Sequence, residues 1–272
     1  MEILLFYIST NSKVLDFINY LEDEIYILGY KSIKVPIEID QIKTINYSEG
    51  SIAISIGGDG TVLYVARLLA NTNIPIFPVN FGNLGFITEI KKNELIHILK
   101  SFIENKIETQ KRIVIKSDII SNNEIKTYKA LNDIVITRSN VCKIIDLDLY
   151  INQEYVCRYR ADGLIIATPT GSTAYSLSAG GPILEPELEN IIITPICPHS
   201  LRVRPLVIDA SKEIQIRVIS NTPQIITFDG QITFEITNKD LITIKKDGYV
   251  NIVKPENRSF FNVLKEKLNW LD

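Results

Sequence analysis

A carboxylate set among three glycines, Gly57-Gly58-Asp59-Gly60, is the stretch of this sequence best suited to phosphate chemistry. Ser51-Ile52-Ala53-Ile54-Ser55-Ile56 before it reads as a short buried strand. Thr61 to Ala70 after it carries Val62, Val65, Ala66 and Leu69 at helical spacing. Strand, glycine turn and helix together put free backbone N–H groups and the positive end of a helix dipole at the carboxyl edge of a sheet. The glycines allow φ > 0 and a close approach of backbone to phosphate. An Asp aimed at a phosphate is electrostatically unfavourable unless it handles a metal ion or a hydroxyl proton. The plain alternative is a tight turn whose Asp caps the helix, and taken alone the stretch favours neither.

Two further stretches are more polar than a core requires. Asn132-Asp133 lies inside Ala130-Leu131-Asn132-Asp133-Ile134-Val135-Ile136. Such a pair marks a strand end or bulge, or else hydrogen-bonding groups for a base edge and ribose hydroxyls. From Arg160 to Pro182 a strand empties into a loop dense in Ser, Thr and Gly. That loop offers many neutral donors to an anionic or sugar-bearing ligand, or is simply a loop.

The elements that must position these residues fall into two textures. Glu2 to Ser9, Ser32 to Val35, the 51–56 run and Ile74 to Asn80 read as strands. Helices are expected at Ser12 to Leu28, ended by Gly29, at 61–70, and at Lys92 to Asn105. This alternation predicts a parallel, Rossmann-like α/β domain over 1–106, with Gly57 to Gly60 and Gly82 to Phe86 on one sheet edge. From Ile107 the chain is strand-like: Arg112 to Ile120, Tyr128 to Thr137, Ile144 to Ile151, Leu164 to Ala167, Glu213 to Ile219, Gln224 to Phe228 and Leu241 to Lys245. Turns are expected at Ser121-Asn122-Asn123 and Asp247-Gly248. The expectation for 107–255 is an antiparallel, β-sandwich-like domain. Residues 256–272 form a tail whose helix, Ser259 to Leu271, packs back on the body through Phe260, Val263, Leu264, Leu268 and Leu271.

The totals exclude several function classes. At 272 residues, with 46% hydrophobic and 22% charged residues, the chain suits a soluble two-domain protein. A net charge of −3 argues against bulk binding of nucleic acid or anionic membrane. Met1 to Tyr7 lacks the basic start and long apolar run of a signal peptide, and no stretch is long enough to span a bilayer, so the cytoplasm is expected. Cys142, Cys157 and Cys197 are far apart and are expected to be reduced, buried packing residues. With only His97 and His199, neither a His-based zinc centre nor a Ser-His-Asp triad is supported, and no dedicated metal site is assigned.

Taken together, Gly-Gly-Asp-Gly, Asn132-Asp133, and Asp162-Gly163 followed by Thr168-Pro169-Thr170-Gly171-Ser172-Thr173-Ala174-Tyr175 closely resemble the ATP-dependent NAD kinase family. Further matches are Asn80 to Phe86, Pro198 to Val207 and Asp229-Gly230-Gln231, so the resemblance covers essentially the whole chain. Gly-Gly-Asp-Gly alone is unspecific, being shared with lipid kinases and phosphofructokinases. The Thr168-to-Tyr175 run is highly specific. The chain departs from the family in carrying Asp133 where many members have Glu, and Ala161 where others have Gly or Ser.

The resemblance implies transfer of the γ-phosphoryl group of ATP to the 2′-hydroxyl of the adenosine ribose of NAD, with Mg2+ or another divalent cation accompanying ATP. It implies Asp59 as general base or orienting carboxylate, with Gly57, Gly58 and Gly60 as the phosphate loop. Gly60 stands beside the ribose and Phe86 against the adenine. Asn132 takes the adenine edge and Asp133 the ribose. Asp162 takes the nicotinamide end, with Arg160 nearby. Thr173, Ala174, Tyr175 and Ser178 line the adenosine half, and Gln231 and Lys143 complete the pocket. It also implies a homodimer or homotetramer with NAD near the subunit interface. His199 ranks below Asp59 as an acid–base group. The competing readings are a lipid or sugar kinase, against which the polar 173–178 loop speaks, and a non-catalytic dinucleotide sensor, against which the intact Asp59 speaks.

Overall fold

The computed structural model describes every residue except 10–11, 39–46, 83–84, 122–123, 140–142, 256–257 and 270–272. Asn83-Leu84, the Asn122-Asn123 turn, Cys142 and the Leu271 end of the last helix therefore lie outside the described residues. The chain divides into two compact units, Met1–Arg112 with Tyr249–Asp272, and Ile113–Gly248.

The first unit opens with β1 (Glu2–Tyr7), α1 (Ser12–Ile27), β2 (Lys31–Pro36), β3 (Ile52–Gly57), α2 (Asp59–Leu69), β4 (Pro75–Asn80), β5 (Ile90–Lys91) and α3 (Leu95–Ile103). β2, β1, β3 and β4 lie side by side in that order, all parallel. β5 joins beyond β4, again parallel. Strands buried on both faces read as near-continuous apolar runs, as Ile3 to Phe6 does and as Ile52 to Ile56 does with only the buried Ser55 interrupting it. One face meets Val14, Ile18, Leu21 and Ile25 of α1 and Leu95, Ile98 and Leu99 of α3. Burying each such side chain contributes roughly 1.5–3 kcal/mol. α2 packs on β1, β3 and β4. α1 stops where Gly29 takes φ +82 and its N–H reaches the Tyr26 carbonyl, a conformation that costs glycine little.

The second unit contains β6 (Thr109–Ser121), β7 (Glu124–Ala130), β8 (Asp133–Arg138), β9 (Ile145–Ile151), β10 (Glu154–Ala161), β11 (Gly163–Ala167), α4 (Tyr175–Ser178), β12 (Asn190–Ile196), β13 (Leu206–Asp209), β14 (Ile214–Val218), β15 (Gln224–Phe228), β16 (Ile232–Ile236) and β17 (Leu241–Val253). β6 and β17 carry the chain between units. One antiparallel set runs β10-β9-β14-β17, and β6 and β7 form a hairpin. A second antiparallel sheet runs β13-β12-β11-β8-β15-β16. Past β17, which runs parallel to β4 at Asn251 and Ile252, α5 (Phe260–Leu268) begins in the first unit. Ser259 caps it by accepting the Asn262 N–H, and Val263 and Leu264 are its buried residues. No helix among the described residues is long and apolar enough to cross a membrane.

Four expectations are corrected. The single strand Tyr128 to Thr137 is two: β7 ends at Ala130 and β8 begins at Asp133 in the other sheet. Asp247-Gly248 is not a turn but lies within β17; Asp247 is held there by Lys116 of β6 (3.2 Å) and Lys129 of β7 (2.9 Å), while Gly248 sits at φ +121. The loop after β11 is partly helical, with a 3₁₀ turn over Thr170–Thr173 leading to α4. Cys157 is only half-buried and Cys197 is exposed, so neither is a core packing residue.

Candidate functional site

In the first unit the site is organised by Asp59. β3 runs out at Gly57, Gly58 is the N-cap of α2, and Asp59 is the first helical residue. The Asp does not cap the helix, which has no side-chain cap. Its carboxylate reaches instead to a loop almost thirty residues on. Oδ2 accepts the Phe86 N–H (2.8 Å). Oδ1 accepts the N–H groups of Ile87 (3.2 Å) and Thr88 (2.9 Å) and the Thr88 hydroxyl (2.9 Å). Gly85 is required by this contact, since a Cβ there would fall on Asp59 Oδ1 and Thr88 Oγ1. The expectation of positive φ in the glycine turn is corrected: Gly57, Gly58 and Gly60 are not among the residues with φ > 0. Gly57 is needed for space, because a Cβ would strike Thr61 Oγ1. Nearby, Glu89 is buried with Oε2 unpartnered. Burial pushes its carboxyl up, against the pull of Arg112, Lys254 and Arg258.

In the second unit the site is organised by Asp229, at φ +51 beside Gly230 at φ +64. Its carboxylate accepts the N–H groups of Leu131 (3.1 Å), Asn132 (2.7 Å) and Asp133 (3.2 Å), at the point where the chain leaves β7 for β8. The Asp229 N–H returns to the Asp133 carbonyl at 2.9 Å. From the other side Thr168 donates its N–H to the Asn132 carbonyl (2.8 Å) and its hydroxyl to the Leu131 carbonyl. Gly171 lies so close that a Cβ would overlap the Asn132 carbonyl. The Thr-rich run after β11 is therefore built onto the backbone of the Asn-Asp pair.

A cavity of about 390 Å3 opens here, lined by Asn132, Asp133, Thr137, Ala174, Tyr175, Asp229 and Gly230 among others. Asn132 Oδ1 is buried without a hydrogen-bond partner. Asp133 is 5% exposed, and burial, then the charge of Asp229, pushes its carboxyl up to about 7. A carboxyl with a raised folded-state value stabilises the fold fully only below its unfolded value near 3.8. That contribution is lost as pH rises toward about 7. Asp133→Asn, which never ionises, is therefore expected to gain stability relative to wild type between pH 4 and 7, by on the order of a few kcal/mol. Thermal melts across that range check it; parallel melting curves would refute the burial argument.

Of the residues singled out in the sequence, Asn132, Asp133, Ala174 and Tyr175 share this cavity. Lys143, Arg160, Asp162, Thr173, Ser178 and Gln231 lie outside its lining. Asp162 pairs with Arg138 at 2.9 Å. Lys143, Arg160 and Ser178 are exposed. His199 is exposed, its N–H on the Arg160 carbonyl. Asp229 entered the sequence reading only as part of a matching tripeptide; an Asp-Gly pair after an alternating strand was the signal available for it.

Two family models match the chain: the ATP-NAD kinase N-terminal domain over residues 17–107 and the ATP-NAD kinase C-terminal domain over 131–254. An NAD kinase from Thermoanaerobacter sp. (strain X514) is 45% identical over 225 residues, covering 82% of this chain and 80% of its own. One from Aquifex aeolicus (strain VF5) is 41% identical over 231 residues, covering 84% of each. Among solved structures, an NAD kinase from Archaeoglobus fulgidus in complex with ATP aligns over 100% of both chains with a TM-score of 0.78 and 27% identity. Yeast NADH kinase complexed with NADH aligns over 99% of this chain and 88% of its own, with a TM-score of 0.86; at 24% identity it speaks to the fold.

Proposed function

The chain belongs to the NAD kinase family, the phosphotransferases that phosphorylate NAD with ATP, and from that premise we propose how its residues divide the work. The unit 2 cavity takes the adenosine half of NAD. The observation that carries this is the buried, unpartnered Asn132 Oδ1 beside the buried Asp133 carboxyl. An adenosine offers an exocyclic amine to the first and ribose hydroxyls to the second, and an acceptor buried without a donor costs about 1–3 kcal/mol. Ribose hydroxyls that donate to Asp133 favour its ionised form. Tyr175 and Ala174 supply apolar surface, with Thr173, Ser178, Gln231 and Lys143 around them. Gly60 and Phe86 remain the proposed unit 1 contacts, with Gly57 and Gly58 in the phosphate loop.

Asp59 is the proposed carboxylate for the 2′-hydroxyl. An ionised carboxylate has about four lone-pair sites, and four donors already point at it. Three of these donors fall on Oδ1 and only the Phe86 N–H on Oδ2, so Oδ1 fixes the 87–88 backbone while Oδ2 keeps acceptor capacity with which to orient the 2′-hydroxyl and take its proton. Mg2+ is expected to arrive on the phosphates of ATP. The described residues present no cluster of three or more His, Cys, Asp or Glu for it. Asp59, whose Oδ2 has a single donor, is the residue that would help hold the ion, and no step runs through the metal. The reading also carries a cytoplasmic homodimer or homotetramer; Leu201, 89% exposed, and Val207 in the 198–207 segment are the surface that supports an interface there.

A coupled assay of NADP formation from ATP, Mg2+ and NAD tests the function. Phosphorylation of diacylglycerol in place of NAD, or NAD binding without turnover, would overturn it. Within that assay, Asp162→Ala is expected to raise KM for NAD about ten- to a hundredfold with little change in kcat, as loss of a contact equal in ground and transition states does. The variant also frees Arg138, but a pair whose side chains are each 27% exposed contributes at most about 1 kcal/mol. A small loss of melting temperature with unchanged KM would leave Asp162 a structural partner of Arg138 alone.

A further inference from the structure

The parallel sheet reverses its strand order between β1 and β3, since β2 lies to one side of β1 and β3 and β4 to the other. Ligands of open α/β sheets bind beyond the carboxyl ends of strands at such a point. On that edge of the first unit lies a cavity of about 650 Å3, lined by Lys13, Asn80, Phe81, Gly82, Lys91 and Lys92 among others. Lys13 stands in the first turn of α1, whose N-terminal end adds the positive pole of a sixteen-residue helix. Lys91 ends β5, and Lys92 follows it with Nζ 4.2 Å from the centre of the Phe81 ring. None of the described residues lining this cavity is acidic. Three ammonium groups around one opening are unexpected in a chain of net charge −3 unless the opening takes an anion.

The cavity shares its wall with the Asp59 arrangement. Asn80 pairs with Gly57 in the β3–β4 register, and the Phe81 N–H donates to the Gly57 carbonyl at 2.9 Å. Asn80 accepts the Gly82 N–H (2.8 Å) through Oδ1 and donates through Nδ2 to Thr88 Oγ1 (3.3 Å). Thr88 in turn donates to Asp59. One amide therefore joins the lysine-lined opening to the carboxylate.

We propose that this cavity seats the condensed-phosphate chain of the phosphoryl donor, with Lys91, Lys92 and Lys13 as its cationic contacts. The proposal rests on the reading of the enzyme as an ATP-dependent NAD kinase and adds the residues that hold the donor. The phosphate chain, rather than the nucleoside, is what the lysines recognise, so inorganic tripolyphosphate competes for the same seat.

The test uses the full chain and the double variant Lys91→Ala/Lys92→Ala, whose two side chains are exposed, with melting temperature as the control for folding. With NAD saturating, KM for ATP is expected to rise about tenfold or more, and the Ki of tripolyphosphate against ATP to rise in parallel, while KM for NAD stays within about twofold. Lys91→Arg/Lys92→Arg should recover most of the loss, because phosphate accepts either cation. Unchanged KM for ATP in the double Ala variant overturns the proposal. So does a loss for ATP with none for tripolyphosphate, which would assign the lysines to the nucleoside. Calorimetric titration of both proteins with tripolyphosphate needs no turnover. If wild type formed no NADP, the reading of the enzyme would fall, and the titration would still decide the seat: binding lost in the variant supports it, and equal or absent binding overturns it.

Discussion

Asp59→Asn is expected to lower turnover by about 10²-fold or more and, unlike most isosteric changes at a reacting group, to lower the melting temperature too. The first effect follows from the role proposed for the carboxylate: phosphoryl transfer depends on alignment and charge placement, and a positioned carboxylate on the acceptor hydroxyl supplies both. The second follows from the geometry. Oδ2 faces the Phe86 N–H, and Oδ1 faces the N–H groups of Ile87 and Thr88 and the Thr88 hydroxyl. An amide has one oxygen. Turned one way, its NH2 confronts the Phe86 N–H; turned the other, it confronts two backbone donors. The first arrangement costs less, and leaving one N–H without an acceptor amounts to about 1–3 kcal/mol, several degrees in a chain of this size. The two readouts separate the roles. Near-normal turnover would remove Asp59 from the chemistry. A wild-type melt with turnover lost would mean that the 86–88 contacts contribute no stability and that Asp59 acts on substrate alone.

Where sequence reading succeeded and where it failed both have local causes. β1, β3 and α1 were legible because burial on both faces of a parallel sheet leaves near-continuous apolar runs, unbroken from Ile3 to Phe6 and broken only by Ser55 from Ile52 to Ile56, and a helix on one face leaves a 3.6-residue stripe. The join of β7 to β8 was not, because its cause lies 97 residues away: the Asp229 carboxylate pulls in the Asn132 N–H and turns the chain from one sheet to the other. β12 was missed with Pro195 inside it. β13 pairs only with residues 190–193, so at Pro195 that side has no partner strand and the missing N–H is not felt. Asp247-Gly248 looked like a turn because neither residue favours a strand; two lysines from the neighbouring hairpin hold Asp247 in β17. Asn132 and Asp133 stood out in the sequence as a polar pair inside a strand-like run, Tyr175 entered through the resemblance carried by the Thr168-to-Tyr175 run, and the three meet in one cavity. Gly85 and Gly171 could not be read, since their value is the space a Cβ would take from Asp59 and from the Asn132 carbonyl.

Asp229→Ala is expected to be the most damaging single change to the second unit. Asp229 is 8% exposed, and its carboxylate is the acceptor for three consecutive backbone N–H groups at 2.7–3.2 Å. Removing it leaves three donors with no acceptor of similar reach, each costing up to about 1–3 kcal/mol when water cannot replace the bond. Ala also stands less well than Asp at φ +51. The sum exceeds the usual effect of a point mutation and predicts a melting temperature lower by on the order of 10 °C. Because the side chains of Asn132 and Asp133 are rooted on the released backbone, KM for NAD should rise with it. Asp229→Asn separates geometry from charge. Asn tolerates the left-handed conformation, and its oxygen can keep the Asn132 and Asp133 N–H groups. Its loss of charge removes the second cause that raises the Asp133 carboxyl, while burial, the larger cause, remains. The Asn variant should therefore melt well above the Ala variant. Its Asp133 should ionise at a lower pH than in wild type, so that any tightening of NAD binding with rising pH sets in earlier. An Ala variant with wild-type melting and wild-type KM for NAD would show that the 131–133 backbone holds its place without Asp229.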